Sequence, residues 1–224
     1  MKYKIVGESL PVVLCDLKDG EAIISENGGR SWAKGDITTT TQGGNASKMF
    51  GRMFSGESLF LSHYQANGDA QIAFASSFPG SIKAIELKEN ESIIVQKHGF
   101  LAATESVDLS IFFHKKFGAG LFGGEGFIMQ KISGPGVAFV EIDGYAIEYD
   151  LKANEKLVCD TGVVALMDES CKMEIEAVKG LKNKLLGGEG FFDTIVYGPG
   201  KVIVQTMSAN GLAASIAPFL PSAK

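Results

Sequence analysis

Three Gly-Glu pairs stand where a carboxylate cluster could form. "GESLFL" at Gly56, "GEGFIM" at Gly124 and "GEGFFD" at Gly188 align Glu57, Glu125 and Glu189 at spacings of 68 and 64 residues. If the fold gathers these carboxylates around one axis, they would bind a cation or raise one another's pKa. The plainer expectation is that each accepts hydrogen bonds from its own glycine-rich turn. Just before each pair lies a basic, apolar stretch. Lys48–Gly56, His114–Gly124 and Lys179–Gly188 carry two, two and three Lys/Arg and no acid. Those seven positive charges, against a formal net charge of −5, leave −12 on the rest of the chain. Lys48, Arg52, Lys115, Lys116, Lys182 and Lys184 would attract, and Phe50, Phe54, Phe122 and Leu186 would supply desolvated contact. A basic collar around apolar tips suits an anionic lipid face, an acidic apolar partner or a second copy of the chain. The alternative is that the Phe and Leu side chains fold inward while the lysines stay hydrated.

No recognised reaction centre is spaced along the sequence. His63, His98 and His114 form neither an H-x-H nor an H-x-x-x-H arrangement, so no metal is implied. A G-x-S-x-G elbow is missing, and "GLFGGEG" lacks the Lys-Ser/Thr ending of a phosphate loop. A non-enzymatic protein without a cofactor is expected. Three cysteines, Cys15, Cys159 and Cys171, form no CxxC and leave an odd thiol, which favours a reducing compartment. The apolar runs are too short for a membrane span, and Glu8, Pro11 and Asp16 interrupt any signal-peptide core. A cytoplasmic protein follows as the expectation. The acidic balance disfavours nucleic acid, which needs a basic phosphate-facing surface.

The elements that would position these residues repeat as well. "DLKDGEAII" at Asp16, "ELKENESII" at Glu86 and "DLKANEKLV" at Asp150 superpose Leu17, Leu87 and Leu151, and also Glu21, Glu91 and Glu155, at spacings of 70 and 64. After each Gly-Glu pair comes a β-prone run, a turn signal (Asn67-Gly68, Gly134-Pro135-Gly136 or Gly198-Pro199-Gly200) and a second run. Each such pair of runs reads as a β-hairpin. The first LK…E half has no Gly-Glu hairpin before it, and the last Gly-Glu hairpin has no LK…E half after it. Pairing the N-terminal strands with the C-terminal ones would close three units into a pseudo-threefold ring without free edges. The expectation is therefore a single domain, 1–224, all-β, of closed and mostly antiparallel stacked sheets. Its units would be 183–210 completed by 10–45, then 48–113 and 116–177. In "SANGLAASIAPFLPSAK", Ser208 or Asn210 would cap a short helix that Pro218 ends.

With "LKDGE" at Leu17, "FGGEGF" at Phe122, "LLGGEGFF" at Leu185, "YGPG" at Tyr197 and an Ala-rich tail with "PFLP", the chain resembles a known family from about Val12 to Pro221. This is the bacterial family of domain of unknown function 124, whose eukaryotic relatives are the altered-inheritance-of-mitochondria 24 (mitochondrial biogenesis) proteins. The resemblance implies a β fold near that of the tryptophan RNA-binding attenuator protein. It implies no established reaction and no catalytic residues. The leading expectation is a binding or scaffold protein using its basic-apolar loops. A small-molecule or ion sensor using the repeated carboxylates is the alternative, and an enzyme of unknown class ranks third.

Overall fold

The structure, a computed structural model, describes residues 1–26, 28–43, 60–115, 126–177 and 192–220. Nineteen β-strands and one α-helix lie among them. The chain divides into two compact units. Unit 1 comprises Met1–Ser92, Lys97–Ser110 and Lys131–Ile142; unit 2 comprises Ile93–Gln96, Ile111–Gln130 and Asp143–Lys224.

Unit 1 is built from two antiparallel sheets. One holds, in order, β1 (Lys2–Val6), β2 (Val12–Leu17), β7 (Ala70–Ala75) and β4 (Trp32–Lys34). The other runs β5 (Ile37–Gly43), β6 (Phe60–Ala66), β3 (Ala22–Glu26), β10 (Phe100–Thr104), β13 (Gly136–Asp143) and β8 (Gly80–Leu87). Alternation decides which face is buried: β2 turns Val13, Cys15 and Leu17 inward and pairs them with Phe74, Ile72 and Ala70 of β7. They join Ile23, Tyr64, Ala102 and Phe139 of the other sheet in one core. The Tyr64 and Phe74 rings meet edge to face at 6.0 Å.

Most residues of the second six-stranded sheet belong to unit 2; it runs β11 (Asp108–Lys115), β12 (Phe127–Ser133), β9 (Ser92–Gln96), β16 (Val164–Asp168), β19 (Gly200–Gln205) and β14 (Ala146–Leu151). Three further strands, β15 (Lys156–Asp160), β18 (Phe192–Tyr197) and β17 (Lys172–Ala177), form the other sheet. Ile94, Phe127, Met129, Val164, Met167 and Val202 pack with Ile175 and Val196.

Locally the two units share their registers. In unit 1, Phe100 pairs with Val140 and Ala102 with Phe139 across a β-bulge; in unit 2, Val164 pairs with Val204 and Leu166 with Ile203 across the same irregularity. The LK…E turns also share their chemistry. Glu21, Glu91 and Glu155 each accept from the backbone N–H of the lysine three residues earlier, at 2.8, 2.9 and 2.8 Å. The tight turn needs a left-handed residue, supplied by Gly20 (φ 79°), Asn90 (φ 66°) and Asn154 (φ 69°). Each turn then docks on the run that follows it: Ala66, Gly134 and Gly198 donate their N–H to the carbonyls of Glu21, Glu91 and Glu155, all at 3.0 Å.

Two expectations are corrected. Closure into a threefold ring is not found, because none of the four sheets closes among the described residues and every strand order is open. N-terminal β2 pairs with β1 and β7, whereas C-terminal β19 pairs with β14 and β16, so no ladder joins the two ends. The runs expected as hairpins are strands, but their partners lie elsewhere. β6 and β7 enter the two different sheets of unit 1, and β18 and β19 the two different sheets of unit 2; β12 and β13 likewise share no sheet. These strands are apolar enough to meet through side chains, as Tyr64 and Phe74 do, and their backbones find partners in sequence-distant strands.

The C-terminal helix forms as the tail's capping signals require. α1 (Ala209–Ile216) is capped by Ser208, whose Oγ accepts from the Gly211 N–H at 3.1 Å. A single 3₁₀ turn, Ala217–Phe219, contains Pro218 and follows directly.

Candidate functional site

The sequence-level candidates fall almost wholly outside the described residues. Lys48, Phe50, Arg52, Phe54, Lys116, Phe122, Lys182, Lys184 and Leu186 lie there, and so do Glu57, Glu125 and Glu189. Lys115 is described, at the end of β11. It is half-buried, and its Nζ donates to the Ile175 carbonyl of β17 at 2.7 Å, tying two strands together. Among the described residues no group of three or more His, Cys, Asp or Glu is placed to hold a metal ion. Nor is any helix among them long and apolar enough to cross a membrane.

The histidines and cysteines have local roles. His63 Nε2 lies 2.9 Å from Glu105 Oε2, a pairing of residues 42 apart in sequence. Burial pushes the Cys15 thiol up to about 12 and the Cys159 thiol to about 11, with neighbouring aspartates adding to each. Both are poor nucleophiles at neutral pH, since the thiolate is the reactive form.

Two cavities of unit 1 contain charged groups. The first, about 610 Å³, is bordered by Lys18, Glu21, Lys34 and Asp69. Its charges are largely matched within the protein: Lys18 Nζ meets Asp69 at 2.8 Å, Gln71 donates to Asp16, and Glu21 receives the Met1 ammonium. That ammonium, followed by the Lys18 N–H, holds the Glu21 carboxyl below the usual carboxylate range.

The second cavity differs in kind. It measures about 460 Å³ and is bordered by Glu26, the 28–31 loop, Ser76, Ser77, His98, Phe100 and Glu141. Elements from both sheets build it. β13 turns Glu141 inward from an otherwise apolar run, leaving it 5% exposed. One oxygen, Oε1, accepts from the Ser77 N–H at 2.6 Å and the Phe78 N–H at 2.9 Å. The enclosed Ser76 hydroxyl lies near enough to favour the ionised carboxyl, yet makes no hydrogen bond of regular geometry. Burial outweighs these donors and raises the Glu141 pKa. The 28–31 loop borders it, anchored where Ser31 Oγ accepts from the Ala75 N–H at 2.9 Å. Arg30 is exposed, with its guanidinium carbon 5.5 Å from the Tyr64 ring centre and Nη1 3.4 Å from Thr39 Oγ1. His98 is exposed as well. The cavity is thus bordered by the buried carboxyl of Glu141, by Glu26 and by the exposed residues Arg30 and His98, a polar lining that suits a small polar molecule.

Glu141 was not among the sequence candidates, although a signal for it exists. It stands five residues after Gly136, the last glycine of its turn, inside "VAFVEID"; Gln205 stands five after Gly200, inside "KVIVQT". A polar residue recurring at an inward position of a β run marks a built interaction.

The chain matches the mitochondrial biogenesis AIM24 family over residues 3–207. It is 27% identical over 222 residues to an uncharacterised protein of Streptococcus pyogenes serotype M6, covering 95% of this chain and 88% of that one. It also superposes on the crystal structure of a Streptococcus pyogenes protein solved by structural genomics, with a TM-score of 0.76 and 23% identity over 98% of this chain and 99% of the other. That likeness shows a shared fold. The family match spans nearly the whole chain and makes it a member of that family.

Proposed function

We propose that the chain, which belongs to the mitochondrial biogenesis AIM24 family, is a non-enzymatic binding protein that holds a small polar ligand in the cavity around Glu141. One observation carries this: a carboxyl 5% exposed, with its pKa raised by burial, borders a cavity of about 460 Å³. That volume lies within the roughly 300–1,000 Å³ usual for small-molecule sites. A buried carboxyl costs stability when ionised, and a protein keeps such a group where a ligand or a proton neutralises it.

The sign of the pH effect follows from the raised pKa. Relative to the unfolded chain, the folded state favours protonated Glu141, so its contribution to stability is greatest at acid pH. It falls as pH rises from the ordinary carboxylate value through the raised one. Glu141→Gln keeps an acceptor for Ser77 and Phe78 but carries no charge. This variant is expected to be at least as stable as wild type at neutral pH and to lose that pH slope. A thermal-shift screen of polar metabolites should find compounds that raise the Tm of wild type and leave Glu141→Gln unmoved. Silence at concentrations far above any plausible Kd, or equal shifts in both proteins, would overturn the assignment.

A second reading rests on the Lys/Arg gathered without acid in three segments, six of them besides Lys115, whose ammonium the Ile175 carbonyl holds. These segments would bring an otherwise acidic protein to an anionic membrane face or acidic partner, at roughly 1 kcal/mol per cation near the surface. The compartment in this reading is the cytoplasm, whose reducing conditions suit three unpaired thiols. Co-sedimentation with anionic vesicles, lost at high salt and absent with neutral vesicles, is the expected result. Vesicle binding indifferent to salt and lipid charge, or none, would remove this reading.

A further inference from the structure

β2 and β14 are the same strand of the repeat, ending on Leu17 and Leu151, which superpose in the LK…E motif. Each pairs on one side with the strand that follows its glycine turn, β2 with β7 and β14 with β19. Just before them, the Pro11 and Tyr145 carbonyls accept from the Ser76 and Thr206 N–H groups at 2.8 and 3.1 Å. Alternation along an antiparallel ladder then turns the backbone groups of Val12, Leu14 and Asp16, and of Ala146, Glu148 and Asp150, to the opposite edge. On β2 that edge is filled. β1 lies antiparallel along it, with Lys2 opposite Asp16, Lys4 opposite Leu14 and Val6 opposite Val12. β14, by contrast, is the last strand of its sheet among the described residues. Burial differs accordingly: Val13 and Cys15 are fully buried, whereas their counterparts Ile147 and Tyr149 are 39% and 41% exposed.

We infer that the outer edge of β14 takes an extended segment of a partner protein in which lysines alternate with apolar residues, added antiparallel as β1 is added to β2. Main-chain hydrogen bonds supply the affinity of such strand addition, and the alternate side chains supply its specificity. β1 itself, "KYKIV", is the template. In its register a lysine faces Asp150 as Lys2 faces Asp16, the next faces Glu148, and the apolar residues between them cover Ile147 and Tyr149. Asp150 stands opposite Lys201 of β19, whose Nζ lies 3.5 Å from Glu148 instead. The Asp150 carboxylate itself has no hydrogen bond or ion pair among the described residues, so an incoming lysine gives it one. Opposite charges set directly across two strands stabilise the pair, and like charges destabilise it. That rule disfavours a second copy as the occupant. Two β14 strands paired antiparallel about Glu148 or about Tyr149 would set acid opposite acid. The surface is independent of the Glu141 cavity and holds whether or not that cavity takes a ligand.

The test is a titration of the full chain with the end-capped peptide KYKIV, and with its charge-reversed form EYEIV, followed through the backbone amide resonances of Ala146 and Asp150. KYKIV is expected to shift both resonances and slow their hydrogen exchange, with EYEIV binding at least tenfold more weakly. Asp150 is exposed, so Asp150→Lys should leave the fold intact while weakening KYKIV at least tenfold and making EYEIV the tighter of the two. Ala146→Pro removes an outward N–H at the first residue of an edge strand, where proline is tolerated, and should weaken both peptides. Equal binding of the two peptides overturns the charge pairing and with it the proposed occupant. Shifts confined to Val12, Leu14 and Asp16 mean that the peptide replaces β1, and they overturn the β14 site. So does silence at millimolar KYKIV. Protection of Ala146 and Asp150 that rises with protein concentration alone is the mark of a second copy and overturns the partner segment.

Discussion

Replacing Phe139 with alanine should destabilise the protein by about 4 kcal/mol, the usual range for emptying a phenylalanine site in a close-packed core. The residue lies in β13, two positions before Glu141, and is fully buried. It packs with Ile23, Leu101 and Ala102, and its ring meets Tyr3 of β1 edge to face at 5.0 Å. The cost combines lost transfer free energy with a cavity that strands pinned by ladders on both sides cannot collapse to fill. Urea denaturation would show the loss as a lower midpoint at an unchanged slope. A change below about 0.5 kcal/mol would be that of a surface site and would place the ring outside the core. Phe139 and Glu141 lie two residues apart on one face of the strand, so the proposed ligand binding should weaken together with the lost stability.

Gly198→Ala should cost about 3 kcal/mol, at the upper end of what overpacking usually costs. A methyl group built on Gly198 would lie 2.4 Å from the Lys152 carbonyl oxygen and 2.8 Å from Leu151 Cβ. The nearest obstacle is backbone, so no rotamer change relieves it. Separating the two segments would also stretch the 3.0 Å hydrogen bond from the Gly198 N–H to the Glu155 carbonyl. Gly20→Ala is the informative contrast. Gly20 has φ 79°, but a methyl group there would meet nothing within 4 Å, so only left-handed strain of about 1 kcal/mol is expected. Comparing the two denaturation midpoints separates crowding from backbone strain. Equal losses would mean that the two turns do not dock as described.

Some of this architecture was legible in local chemistry. The β-prone runs after the Gly-Glu pairs are strands, at Phe60–Ala66 and Ala70–Ala75, Phe127–Ser133 and Gly136–Asp143, Phe192–Tyr197 and Gly200–Gln205. The recurring Glu21, Glu91 and Glu155 mark one turn made three times, because a carboxylate three residues after a lysine reaches its N–H. Partnership was not legible. Two apolar runs joined by a turn satisfy a hairpin and a crossing between sheets equally well at the level of alternation. Glu141 shows the same limit from the other side. Its N–H donors, Ser77 and Phe78, and the Arg30 and His98 that border the same cavity are separated from it by 43 to 111 positions, and no local spacing encodes that meeting.

By itself, then, the sequence determined strand positions, turn chemistry, the Ser208 cap and the family, because each depends on neighbours a few residues away or on an ordered set of motifs. Tertiary structure alone decided that the sheets stay open, that β6 and β7 part company, and that a glutamate in a β run comes to border a cavity. The physical reason is that a strand's edge is satisfied by any backbone of matching length. Only side-chain packing across the assembled sheets selects one partner from the many that alternation allows.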